Sequence, residues 1–177
     1  RDGHRSLLAQ DLDVDAAGNL YVADIGAKAV MVYGPDRRFL RRIGGEKWFS
    51  RLASVTVDPA GSRVYAVDLG GVSSEQHRVR VFDAVSGAHL SDIGSRGSGP
   101  GEFNLPHTIV IDSRGRVLVG DRSNHRIQIF DQDGTFIDQW TQFGTPSGMY
   151  VAPDDTLYVV DYNVKVRVKA DGSGVDL

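Results

Sequence analysis

His107, Arg122, Asn124 and His125 are the side chains of this sequence best placed to do chemistry. A neutral imidazole such as His107 ligates a metal or moves a proton near neutral pH, and a guanidinium such as Arg122 grips a carboxylate or phosphate. A second set is the series Asp24, Asp68, Asp121 and Asp161, each closing an apolar stretch. Carboxylates at such points accept N–H bonds from a turn, and with main-chain oxygens they suit calcium. No cysteine is present, which removes disulfides, thiolate zinc sites, iron–sulfur clusters and thiol nucleophiles. The signatures His-Glu-x-x-His, Gly-x-Ser-x-Gly, Gly-x-x-x-x-Gly-Lys-Ser/Thr and Gly-x-Gly-x-x-Gly do not occur, nor does an EF-hand loop.

The elements that must hold these residues repeat. Leu12 to Asp24, Val55 to Asp68, Ile109 to Asp121 and Met149 to Asp161 each read as a strand, a polar turn and a second strand ending in aspartate. The closing aspartates recur at intervals of 44, 53 and 40 residues, the period of a propeller blade. Third strands follow at Val30–Tyr33, Arg78–Phe82, Arg126–Phe130 and Lys165–Val168, the last three alternating with period two as if one face were buried. Fourth strands fall at Phe39–Ile43, His89–Ile93 and Phe136–Trp140, whereas only Gly174–Leu177 remains for the last, which is expected to be clipped.

The long middle interval is taken up by Gly70–Gln76 and Ser95–Gly101, both polar and turn-forming and both placed on blade-end loops. Glycine is 21 of 177 residues, and Val and Ile dominate the apolar bursts, a strand-and-turn composition. The expected fold is all-β, a β-propeller of four-stranded antiparallel blades, about four of them, over 7–45, 52–94, 105–141 and 146–177 as one domain. The positions opening each blade match across repeats: Gln10, Leu52 or Ala53, His107 and Ser147.

Gly99-Pro100-Gly101-Glu102-Phe103-Asn104-Leu105-Pro106-His107, followed by Asp121-Arg122-Ser123-Asn124-His125-Arg126-Ile127-Gln128-Ile129-Phe130-Asp131, resembles an NHL repeat. The other repeats match more loosely, with Ala27-Lys28-Ala29, Gln76-His77-Arg78 and Tyr162-Asn163-Val164 in the place of Asn124-His125-Arg126. NHL propellers commonly have six blades, which at about 44 residues per blade need roughly 260 residues. The resemblance therefore implies further blades from a longer parent chain or from self-association.

Within that family, Pro106-His107 and Asp121-Arg122-Ser123-Asn124 are similar to motifs of the peptidyl-hydroxyglycine amidating lyases. This resemblance implies zinc on His107, Arg122 facing the substrate as the catalytic candidate, and a structural calcium. Zinc of that kind needs a tripod of imidazoles, and Gln10, Leu52 or Ala53, and Ser147 are not histidines; Leu69-Gly70-Gly71 also replaces the tyrosine expected after Asp68. The first expectation is thus a binding scaffold for a protein or small-molecule ligand at the blade-end loops and channel mouth. Its binding residues are His107, Arg122, Asn124 and His125, with the loop Gly70–Gln76. A metal-dependent lyase or hydrolase is the alternative. The bland readings are His107 hydrogen-bonded to backbone near the channel, Arg122 paired with an aspartate at the rim, and Asn124 and Arg126 fixing their loop.

Twenty Lys and Arg against 23 Asp and Glu leave a formal charge of −3, short of the basic excess that phosphate-backbone binding asks for. Nucleic acid is therefore not an expected partner, and Lys165, Arg167 and Lys169 read as a solvated strand face. The chain opens Arg1-Asp2-Gly3-His4-Arg5 without a leader pattern, and no stretch nears the 18 apolar residues of a membrane span. The missing cysteines and the secreted character of the family point to an extracytoplasmic bacterial protein.

Overall fold

The computed structural model describes residues 8–162, 165–168 and 174–176. Arg1–Arg5, Asn163-Val164, Lys169 and Leu177 lie outside the described residues, as do the side chains of Lys165 and Arg167. Four antiparallel sheets follow one another along the chain. They are β1 (Ala9–Val14), β2 (Leu20–Asp24), β3 (Ala29–Tyr33) and β4 (Phe39–Gly44); β5 (Leu52–Val57), β6 (Arg63–Asp68), β7 (Arg78–Asp83) and β8 (His89–Ile93); after β9 (Ser95–Arg96) and β10 (Glu102–Phe103), β11 (Pro106–Ile111), β12 (Val117–Asp121), β13 (Arg126–Phe130) and β14 (Phe136–Trp140); and β15 (Pro146–Val151), β16 (Leu157–Asp161), β17 (Lys165–Val168) and β18 (Gly174–Asp176). Each sheet runs in simple meander order, and the only other regular element described is a 3-10 turn at Arg122–Asn124. The last sheet keeps its fourth strand: Gly174–Asp176, although three residues long, pairs with β17.

These are propeller blades. The first strands β1, β5, β11 and β15 line a common central cavity, and the hydrophobic layers lie between neighbouring sheets. Tyr21, Val30, Phe49, Val55 and Phe82 fill the first layer, Tyr65, Val79, Phe103, Ile109 and Phe130 the second, and Leu118, Ile127, Trp140 and Leu157 the third. A single four-stranded sheet cannot cover its own apolar faces, so each blade is stabilised by the next.

Two expectations are corrected. Strands β7 and β13 are not half-exposed: Arg80 and Arg126 are 7% and 6% exposed and Gln128 is fully buried. Their polar side chains turn down onto buried carboxylates and loop carbonyls, so polarity there marks hydrogen bonding and not solvent. The segment Ser95–Gly101 is more than a loop, because its first two residues pair in parallel with Glu102–Phe103. The Glu102 carboxylate accepts the amides of Ser98 and Gly99 at 2.9 and 2.8 Å.

Candidate functional site at the channel mouth

The upper face of the propeller is the side on which every first strand begins and every second strand ends. Pairing there jumps from Ala9 to Asp11, Leu52 to Ser54, Pro106 to Thr108 and Pro146 to Gly148. The extra residues are Gln10, Ala53, His107 and Ser147. A bulge re-aims its side chain away from the regular ladder, and all four of these residues line one cavity of about 190 Å³, with Asp11 and Ser54 beside them. The equivalence read from the repeats is thereby realised in space, with Ala53 and not Leu52 as the second member.

The half-buried His107 places its Nδ1 2.9 Å from the Ser147 carbonyl oxygen. Nδ1–H is the donor, which leaves Nε2 of the neutral ring as an acceptor. Burial holds the imidazole below its ordinary pKa of 6.5; the guanidiniums of Arg122 and Arg51 push the same way, and the Ser147 carbonyl and Asp11 oppose them. Asp11 has its own partners in the wall, the Ser54 hydroxyl and the Val55 amide at 3.1 Å, and burial raises its pKa.

The recurring aspartates brace this face. Asp24 accepts the amides of Gly26 and Ala27 at 2.9 and 3.1 Å, Asp68 those of Ser50, Arg51 and Gly70 at 3.0–3.1 Å, Asp121 that of Asn104 at 2.7 Å, and Asp161 that of Thr145 at 2.9 Å. In all four blades the carboxylate at the end of the second strand ties down the segment leading into the first, through the Leu8 amide at 3.4 Å in the first blade, as the turn-capping reading expected. Among the described residues no three His, Asp or Glu side chains gather as a metal site. With Gln10, Ala53 and Ser147 around His107, the residues present do not fit a zinc tripod.

Of the other candidates, Asn124 donates from Nδ2 to the Gly97 carbonyl at 2.9 Å and to Asp121 at 2.8 Å. His125, in left-handed backbone at φ 56°, meets the Gly144 carbonyl of the next blade through Nδ1. Arg122 lies in the 3-10 turn directly after Asp121 and forms no ion pair among the described residues. The expected rim pair does not form because Asp121 is already engaged by Asn104, Asn124 and Arg126. Sequence reading missed two residues of this face. Arg51 stands where β5 begins, and the fully buried His77 receives the Leu105 amide at 3.4 Å and contacts the Gly71 carbonyl at 3.0 Å, pinning the loop Gly70–Gln76. The place of His77 opposite His125 in the repeat was the available signal for it; Arg51 had none.

Comparison with known proteins agrees with this architecture. The NHL repeat family model matches residues 103–130. Human NHL repeat-containing protein 3 is 35% identical over 117 residues, 63% of this chain and 32% of that protein. Human E3 ubiquitin-protein ligase TRIM32 is 51% identical over 45 residues, 25% of this chain and 7% of that protein. The chain thus spans about a third or less of the length of these relatives. Among solved structures, a streptogramin B lyase superposes with a TM-score of 0.75 at 15% identity, covering 99% of this chain and 56% of that one. A virginiamycin B lyase from Staphylococcus aureus gives 0.72 at 12%, over 99% and 57%. Likeness at that identity concerns the fold. No helix among the described residues is long and apolar enough to cross a membrane.

Proposed function

We propose, proceeding from a chain built as an NHL-repeat β-propeller, that it is an interaction scaffold that engages a protein partner through its upper face. One observation carries this reading. The features in which the repeats differ from one another, namely His107, Arg122 and the inserted loop Gly70–Gln76, all lie on the face whose backbone the recurring aspartates hold rigid. The opposite face carries short turns; in the first three blades Asp15, Asp58 and Asp112 each cap their own hairpin, and Ala152 takes that place in the fourth. A rigid frame bearing variable loops is how propellers present recognition residues.

Among the described residues the lyase alternative finds one imidazole in this cavity where its chemistry needs several, which supports the binding reading. The test uses a photo-reactive residue placed at Val72, 80% exposed in the upper loop, or at Val85, 72% exposed in a turn of the opposite face. Cross-linking in extract to a discrete protein from position 72 and not from position 85 is the expected result. Equal labelling from both positions, or none from 72, would overturn the reading.

A further inference from the structure

We infer that Arg51 and Arg122, which strand register brings to the upper face near His107, form a receptor for a carboxylate side chain from an acidic segment of a partner protein. The inference rests on the interaction reading above and names the chemistry of its ligand.

Strand register places the three residues together. Arg51 immediately precedes β5; its amide donates to Asp68 at 3.0 Å and its carbonyl accepts from Leu69 at 2.9 Å, which sets it at the upper end of the second blade. Arg122 immediately follows Asp121, whose strand partner Pro106 adjoins His107. The two cations therefore approach one imidazole from adjacent blades. Both lower the pKa of that imidazole, which agrees with this placement.

Among the described residues neither guanidinium has an anion of its own. The other arginines around them are matched: Arg78 and Arg80 with Asp92, Arg96 with Glu75, Arg126 with Asp121. The carboxylates that could have neutralised Arg51 and Arg122 are engaged by backbone amides and neighbouring side chains, Asp68 and Asp121 at the rim and Asp11 deeper in the wall. Two uncompensated guanidiniums suit a planar carboxylate, which takes paired N–H donors from Arg; the neutral His107 ring, whose Nε2 is an acceptor, adds no cation and no donor for it. A polyanion backbone is less suited: it asks for a run of cations, and this chain has a formal charge of −3.

The experiment measures binding of a fluorescent hexaglutamate peptide to the full chain by anisotropy at low ionic strength, with a Gly-Ser peptide and an oligouridylate RNA of similar length alongside. Arg51→Gln and Arg122→Gln are each expected to weaken hexaglutamate binding about tenfold, as for loss of one charge-assisted hydrogen bond. The double variant is expected to abolish it. Arg114→Gln, on the opposite face, should leave Kd unchanged, and unaltered circular dichroism and melting verify that all variants fold. Absence of hexaglutamate binding, equal binding by the double variant, or binding of RNA in preference to hexaglutamate would each overturn the inference. Val72 cross-linking that persists in the double variant would retain the scaffold reading while removing the carboxylate; Arg-dependent peptide binding without such cross-linking would do the reverse.

Discussion

His107 and Ser147 are both bulge residues of first strands, and the imidazole of one donates from Nδ1 to the main-chain oxygen of the other at 2.9 Å, joining the third blade to the fourth. The bond serves the neutral ring, and burial is the main reason that its pKa lies below 6.5. Between that lowered value and 6.5 the unfolded chain binds the proton more readily than the native one. The contribution of His107 to stability is therefore complete above 6.5 and is lost as pH falls through the folded value. NMR titration of the ring protons should find His107 titrating below 6.5, and His107→Gln should flatten the loss of melting temperature between pH 7 and 5. A titration midpoint at or above 6.5 would contradict this account.

Arg126 and Asp121 form an ion pair of 2.9 Å, with side-chain exposures of 7% and 0%. The same guanidinium reaches Gln139 and the carbonyls of Gly99 and Glu102 at 2.8–2.9 Å, so one residue holds a strand end, the outer strand and the insertion. Arg126→Met should lower unfolding free energy by about 3 kcal/mol, because it leaves a buried carboxylate unpaired. Urea denaturation measures it, and adding Asp121→Asn should recover part of the loss.

Ser54 stitches three blades at the channel. Its hydroxyl donates to Asp11 of the first blade and accepts the Ile109 amide of the third at 3.2 Å. Ser54→Ala removes one bond to a carboxylate and orphans a buried amide, a cost of about 2 kcal/mol. The midpoint of thermal unfolding is expected to fall accordingly, whereas Ser73→Ala in the loop should leave it unmoved.

Gly94 lies at φ +78°, and a Cβ there would stand 2.3 Å from the ring of Phe103; Gly44, at φ +83°, bears the same relation to Phe49. Gly44 ends β4 and Gly94 directly follows β8, and at each an aromatic residue tucks beneath the glycine into an inter-blade layer. Gly94→Ala should cost at least about 2 kcal/mol from left-handed backbone and overpacking together. If denaturant unfolding shows no loss, the aromatic seat is not as close as described.

The repeat and its consequences were legible in the chain itself. The closing aspartates, the strand order and the turns follow from local patterns: alternation, Gly-rich polar turns and a carboxylate where a strand stops. Those patterns placed β8, β13, β14 and β17 at their observed limits and anticipated the backbone bond of His107. What each polar side chain faces was decided only when sheets packed against sheets. Arg126 and Gln128 read as solvent-facing by alternation but are buried, because the neighbouring insertion supplies carbonyls for them. The pairing of Arg51 with Arg122 about one imidazole joins residues 71 positions apart, which no local period encodes. Period and propensity act within a strand and its turns, so the sequence determined the blades; neutralisation of a charge depends on which other blade reaches it, and that belongs to the tertiary structure.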